Sequence, residues 1–540
     1  MNFRKAILPM AITCVSLLTL SGCKKVKAGG ASVIQIKAYK GGYGTDFLHQ
    51  MADEFHSAHP DISFQFLEES ASGLNDKAPN EIANPSKNQT DLYLLNGLDV
   101  DALIKKSYPT IPDRNQVFLE PLDDIFDSKA IGLDGKEEQQ TIRERMFDGF
   151  AETCQYNGSF RQWVGKSFTL PWADASTGLF VNKPILDRYG LSVPLTSNEL
   201  ITTVQTIYAN AISDGVYPFS WAGQNAAGYW LYLFETWFGQ YSTKANFDRF
   251  MNCDPGNGKI VEEGYKVYQD QGILKALEAM YPILDLKYSA KGSASKTHIE
   301  AQSEFVRGKS VFMVDGEWLL NEMKRDYFEE TKEIIMIGAP ILSCIGEEIG
   351  ITDAQLHTLV ESIDNHLTND EIKALIPSLS DENIERVLNA RSIHDSIGPG
   401  HVMVIPSYSD AKEATKLFIR YMYSNDGCRT FRNYAYGNLP LSYQKKDGDK
   451  NTPFQQSLDK IIDYPNPQIV CSCAHFNYVR EIGHMYIFNY GGWEHPNTFY
   501  NVMVDKNNAT PSYTPQYMFE TEAAHVKQEW SHFMQFINYL

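Results

Sequence analysis

Val33-Ile34-Gln35-Ile36-Lys37-Ala38, then Gly41-Gly42-Tyr43-Gly44, then the run from Asp46 to His59-Pro60 is the stretch whose reading decides the fold. The first six residues carry the apolar, β-branched pattern of a buried strand, and the glycines mark a turn at its end. Phe47, Met51 and Phe55 recur at helical spacing on one face until His59-Pro60, where proline stops the helix. Ile62, Phe64 and Phe66 then alternate as a second strand, and Asp91–Leu95 supplies a third short apolar run. Strand, helix, strand, a helix-sized gap and strand is the signature of an α/β fold, with ligands at the carboxyl ends of its strands.

Working outward, a second α/β block starts near Phe168. Gly178–Val181 is strand-like, and Thr196-Ser197-Asn198-Glu199 forms a capping box that opens a helix through about Asn210. Gln224–Gln240 is dense in aromatics. Thr297–Arg307 reads as a helix, Ser310–Val314 as a strand and Trp318–Arg325 as another helix. Glu347–Ile397 is acidic, with helical runs opened at Thr352-Asp353, Thr368-Asn369-Asp370-Glu371 and Ser380-Asp381. It predicts a small helical insertion on the surface. His401–Ile405 returns as a strand, followed by an amphipathic helix from Asp410 to about Tyr423, and a last helix begins near Thr521. At 540 residues the chain has room for two or three cores of about 100–200 residues each.

The N-terminus bears on location. Arg4 and Lys5 precede the apolar run Ala6–Leu20, the pattern of a secretory leader too short to span a bilayer. It ends in Leu20-Ser21-Gly22-Cys23, which resembles the bacterial lipobox, with Cys23 as the acylated residue. Residues 1–22 are then a signal peptide, and 23–32, short, basic and rich in Gly and Ala, is a tether. No later stretch reaches the ~18 apolar residues of a membrane span, so Cys23 lipid is the expected membrane contact. Cleavage leaves 46 basic against 67 acidic residues, moving the formal charge from −19 to −21. A surface this acidic is repelled by nucleic acid and by anionic head groups.

Several catalytic signatures fail on inspection. Gly308-Lys309-Ser310 ends like a phosphate-cradling loop, but Ser303 stands where its first glycine belongs. Gly41-Gly42-Tyr43-Gly44 lacks the third spaced glycine of a dinucleotide loop. Neither HExxH nor GxSxG occurs. Six cysteines beyond Cys23 are scattered and do not read as a disulfide framework. Cys471-Ser472-Cys473 with His475 and His484 is a weak metal pattern that buried thiols or one disulfide explain as well, so neither metal nor cofactor is expected. What remains is an excess of aromatics near strand ends and loops: Trp172, Trp221, Tyr229, Trp230, Trp237, Trp318 and Trp493. Sugars present apolar C–H faces and hydroxyls, and they are bound by flat rings ringed with polar side chains. Trp230 and Trp237 share one helical face with Leu233 and Phe234 between them, which suits a core better.

Five segments in order resemble the family 1 extracellular solute-binding proteins, which contains the maltose- and oligosaccharide-binding components of ABC importers. They are Phe55…Pro60-Asp61-Ile62; Asp91-Leu92-Tyr93-Leu94; Leu170-Pro171 through Gly178-Leu179-Phe180-Val181-Asn182-Lys183 to Thr196…Glu199-Leu200; Phe305-Val306-Arg307-Gly308-Lys309 with Gly316-Glu317-Trp318; and Ala414–Tyr423 with Gly437-Asn438-Leu439-Pro440. Phe180 replaces the family's usual Tyr, and Ser197 stands where Trp is common. The region beyond Pro440 matches poorly.

The resemblance implies a two-lobed α/β fold closing on ligand like a hinge. Lobe one would hold 33–170 with 398–437, lobe two 171–338 with 438–540, and 347–397 would be the insertion, whether lid, docking surface or ornament. Family site positions carry over to Trp318 as a stacking platform and to Trp172 and Asp174 in the loop after Pro171. They also reach Tyr43 after the first strand, Asn96 after the third, and Trp221, with Glu317 as a hydroxyl acceptor. The implied function is non-enzymatic: a lipid-anchored, extracytoplasmic, monomeric receptor that captures a small solute, a carbohydrate over a peptide, for ABC permease subunits on other chains. Two alternatives stay open at this point. A secreted carbohydrate-active hydrolase would show paired carboxylates across the cleft, and a structural or adhesive surface lipoprotein would show a packed one.

Overall fold

β1 (Ser32–Tyr39), β2 (Ile62–Glu69) and β3 (Leu92–Asn96) pair in parallel with β1 at the centre. They begin a five-stranded sheet in the computed structural model, which describes residues 32–107, 116–147, 149–446, 449, 451–470 and 498–536. The leader, Cys23, the cluster at Cys471, Cys473, His475 and His484, and Trp493 lie outside the described residues. The helix expected after the glycine turn is α1 (Asp46–Ala58), and its buried face is Phe47, Leu48, Met51, Ala52 and Phe55. Each such large apolar side chain contributes about 1.5–3 kcal/mol by leaving water.

After β4 (Leu170–Pro171) the chain leaves this sheet and enters a second. β5 (Ser176–Asn182) is its spine and is buried throughout. It pairs antiparallel with β7 (Ser310–Gly316) on one edge, and with β8 (Ile334–Ile337) and β9 (Ile393–Ser396) on the other. β6 (Tyr217–Phe219) extends the sheet beyond β7. The chain then returns to the first sheet as β10 (His401–Val404), which lies antiparallel between β3 and β4. It crosses once more to deliver β11 (Gln468–Val470) beside β9. The result is two α/β lobes, each with its own sheet and core.

Local signals read from the sequence are present as built devices. The Thr196 side chain accepts from Glu199 N, and Glu199 reaches back to the Thr196 backbone, opening α3 (Ser197–Ala211). α4 (Trp230–Ser242) buries Trp230, Leu233, Phe234 and Trp237 in the second lobe's core.

The expected surface insertion over 347–397 is corrected in two respects. Its capped helices, α7 (Asp353–Asp364), α8 (Asn369–Leu375) and α9 (Asp381–Arg391), bury Leu356, Leu359, Val360, Ile372, Ile384 and Val387 in the same core as Trp237. Its last residues are the sheet strand β9, held by Thr177 on one side and Gln468 on the other. The first lobe's core also runs past the expected boundary at 437, taking in Leu439 and Leu441.

Among the described residues Cys154, Cys344 and Cys428 are free thiols. No helix among them is long and apolar enough to cross a membrane.

Candidate functional site

Three crossings between the lobes meet at one place. In the first, 172–175, Asp174 N donates to Asn438 O of the third (2.7 Å). In the second, 397–400, Ile397 N donates to Ala175 O (3.1 Å), and Ser396 Oγ donates to Asp174 O (2.5 Å). Gly398 lies so close to this bundle that a Cβ there would stand 2.2 Å from Asp174 O. Only glycine fits. This node brings the strand ends of both sheets together.

Aromatic rings from both lobes pack against one another where the lobes meet. Tyr43, on the loop after β1, is edge-on to Trp172 (5.7 Å between centroids), to His401 (5.9 Å) and to Trp318 (6.3 Å). Trp172 donates its indole N–H to Leu95 O (2.9 Å), and Phe47 stacks on its face at 5.9 Å. Trp172 is therefore a fixed ring that props Tyr43 and His401. Trp318 opens α6 (Leu319–Thr331), lies over Gly316, and meets Tyr229 at 6.0 Å. It is 6% exposed. The loop bearing Tyr43 reaches it closely: a Cβ on Gly42 would stand 3.0 Å from the Trp318 Cβ, and Asn321 Nδ2 donates to Gly42 O (2.5 Å). Around this packed centre, Tyr39, Asn96, Tyr229, His298, Asn321 and Glu322 form a half-buried rim.

Four carboxylates surround the rings. Glu317 Oε1 accepts from Tyr43 Oη (2.7 Å) and from the backbone N–H groups of Ala175 and Asn438 (3.2 Å each). Asp174 accepts from Ser176 Oγ (2.5 Å). Burial raises both acids, and the Asp174 charge raises Glu317 further. On α5 (His298–Val306), Gln302 Nε2 donates to Asp315 (3.0 Å) and to Glu322 (2.7 Å). Burial pushes Glu322 up to about 7 and holds Asp315 well above the carboxylate range, with Glu322 adding to the latter. Burial also pulls His401 down to about 4, leaving its ring neutral near pH 7. Asp315 and Glu322 both belong to the second lobe and share one amide. They do not face each other across the cleft as a hydrolase pair would.

Of the residues singled out in the sequence, Tyr43, Trp172, Asp174, Glu317 and Trp318 come together here. Asn96 lies at the rim, opposite His401 in the β3–β10 register. Trp221 does not join them. Its indole N–H donates to Ser289 Oγ (2.9 Å), its ring lies by Tyr500, and it fills the second lobe's core. Tyr39, His401, Gln302, Asp315 and Glu322 were not anticipated, and Tyr229 was noted only as one aromatic among several. Tyr39 ends β1 immediately before the glycine turn, and Glu322 follows Trp318 by one helical turn; those positions are the only signals the sequence offers for them.

The sequence profile of the bacterial extracellular solute-binding proteins matches residues 41–343, more than half of the chain. The chain belongs to this family, whose members are receptors and not enzymes. No protein of curated function matches it in sequence.

Solved structures share the fold at low identity. One comes from a study of xylan utilisation by the thermophilic bacterium Caldanaerobius polysaccharolyticus: TM-score 0.58, 14% identity, covering 92% of this chain and 100% of that one. A chitin oligosaccharide binding protein gives 0.56 at 13% identity, covering 93% and 100%. The GacH receptor of Streptomyces glaucescens, solved unliganded and with acarbose, gives 0.53 at 15% identity, covering 92% and 98%.

Proposed function

We propose that this chain captures a carbohydrate between its lobes and presents it to the permease of an ABC importer. The observation that carries this reading is the aromatic set Tyr39, Tyr43, Tyr229 and Trp318, drawn from both lobes and edged by Asn96, Glu317 and Glu322. Rings offer faces to sugar C–H groups, at about 0.5–1.5 kcal/mol each beyond area burial. The polar edge takes hydroxyls at about 0.5–1.5 kcal/mol per bond. A few of each suffice for micromolar capture. Structural neighbours that bind acarbose, chitin oligosaccharide and raffinose support the same ligand class.

Lobe one is assigned to 33–170 with 398–441, and lobe two to 171–338 with the helices within 347–397 and the described segments 453–470 and 498–536. Opening at the three crossings would uncover Trp318 and Tyr43, and closure would bring them onto the ligand. Residues 1–22 act as a secretory leader and Cys23 as the lipid anchor, which holds a monomeric receptor at the outer face of the cell membrane. Incorporation of a palmitate analogue, lost in Cys23→Ser, tests the anchor.

Thermal shift of the mature chain against mono- and oligosaccharides, amino acids and peptides tests the ligand, because a ligand of the folded state raises the melting temperature by mass action. A shift with a saccharide supports the reading. A shift with peptides alone keeps the fold and overturns the ligand.

A further inference from the structure

In and around the cleft the buried side-chain atoms without a partner are acceptors. They are Gln302 Oε1, Glu317 Oε2 and Asp174 Oδ1, in residues with no exposed surface. Gln302 has already spent its amide hydrogens on Asp315 and Glu322. Among the described residues, no Lys or Arg is hydrogen-bonded or ion-paired to Asp174, Asp315, Glu317 or Glu322; the basic side chain beside Glu322 is His298, with Nε2 at 3.8 Å, and burial lowers its pKa and keeps the ring neutral near pH 7. Buried carboxylates are ordinarily paired with a positive group. These lack one from the protein.

A ligand entering this rim therefore meets acceptor oxygens, ring faces and carboxyls that burial keeps protonated or close to it, with no Lys or Arg among the described residues paired to them to draw the proton away. An anionic sugar would set its own acceptors against them. A hydroxyl brings one hydrogen, whereas an ammonium brings three donors and a full positive charge. Ring faces attract the same group by cation–π interaction, most strongly where water is excluded. Burial together with Asp315 and Glu322 raises the Tyr229 hydroxyl, burial together with Glu322 raises that of Tyr39, and the Trp318 ring lies 6.0 Å from the Tyr229 ring. Among the described residues no three His, Cys, Asp or Glu side chains are grouped to hold a metal ion, which favours an organic cation.

We propose that the cleft selects an amino sugar with a free ammonium group, received by Glu322, Asp315 and the Gln302 amide oxygen beside the Tyr229 and Trp318 rings. This rests on the carbohydrate reading and narrows it. Burial holds Glu322 near pKa 7, so seating an ammonium beside it expels a proton. The groups facing Glu322 are Tyr39, Tyr229, His298, Gln302 and Asp315, none of which supplies a permanent positive charge.

The test is calorimetric titration of the mature chain with matched saccharides built on glucosamine, galactosamine and mannosamine. Each is compared with its N-acetyl form, its hydroxyl counterpart and the corresponding uronate. In one series the free amine should bind at least about tenfold tighter than the hydroxyl form, as expected for a charged hydrogen-bonded pair. The preference should shrink in high salt, and the binding heat should depend on the ionisation enthalpy of the buffer. Glu322→Gln should bring the two forms within about twofold of each other, and the wild-type comparison decides alone should that variant fold poorly. Equal or tighter binding of a hydroxyl, N-acetyl or uronate form overturns the proposal and leaves the carbohydrate reading standing. Spermidine binding as tightly as any sugar overturns both, as does silence across every saccharide.

Discussion

The Tyr43 hydroxyl donates to Glu317 Oε1 over 2.7 Å, tying a loop of the first lobe to a strand end of the second. The bond is buried, and burial raises both partners above their ordinary pKa values. In Tyr43→Phe the ring and its contacts remain, but Glu317 Oε1 keeps only the two backbone donors. The closed arrangement should lose about 1 kcal/mol. Ligand affinity should fall several-fold, and small-angle scattering of the unliganded chain should give a larger radius of gyration. An unchanged radius and affinity would mean that this bond does not hold the lobes together.

Gly398 tests the crossing node. A side chain there drives its Cβ into the Asp174 carbonyl and the Ala173 carbonyl, both backbone atoms with little freedom to retreat. Gly398→Val should cost about 1–3 kcal/mol as overpacking does elsewhere, seen as a lower melting temperature by calorimetry. A melting temperature equal to wild type would show that the crossings are looser than this geometry.

Stability should fall as pH rises from 6.5 to 8. Glu322, with its folded pKa raised to about 7, binds more protons folded than unfolded between the ordinary carboxylate value and that point. Asp174, Asp315 and Glu317 shift in the same direction. Where the folded state holds the extra proton, the slope of unfolding free energy with pH is negative. His394 and His401, both lowered to about 4, act in the opposite sense, but only below pH 6.5, above which the unfolded histidine is also neutral. The window above 6.5 thus removes the histidines, and Lys506, lowered by burial to about 8, opposes the acids only towards its upper end. Melting temperature measured across it should decline, and Glu322→Gln should flatten the decline; a rise with pH would contradict the assignment.

The cysteines give a chemical check. Burial pushes the Cys154 and Cys428 thiols up to about 12, and the thiolate is the reactive species. Brief iodoacetamide labelling followed by peptide mass spectrometry should leave both unmodified in the native protein and alkylate both in denaturant. Native labelling of either would place it nearer solvent than the fold does.

How far the sequence was legible follows from how local each signal is. Thr196 with Glu199 is complete within one helical turn and forms the box its residues predict, and the helix starts at Thr297 and Thr352 carry the same device with Glu300 and Gln355. Trp318, Glu317 and Tyr43, which the family resemblance singles out, do come together in the structure. Trp221 follows a strand, but residue type does not reveal which way a ring turns, and its partner Ser289 lies far along the chain. Ile393–Ser396 was unreadable for a related reason. Ile-His-Asp-Ser has little strand character of its own, and only pairing with Thr177 and Gln468 makes it one. Tyr39, Gln302 and Glu322 meet solely through the docking of the two lobes and α5, which no local pattern encodes.

The most direct test is an equilibrium titration of the mature chain with the saccharide that gives the largest thermal shift, comparing Tyr229→Ala and Trp318→Ala with Trp221→Ala. The account predicts loss of binding in the first two, while Trp221→Ala melts earlier yet binds within about twofold of wild type, since a core truncation acts on stability rather than on ligand contacts. Equal losses in all three variants, or full binding by Trp318→Ala, would contradict capture between the lobes.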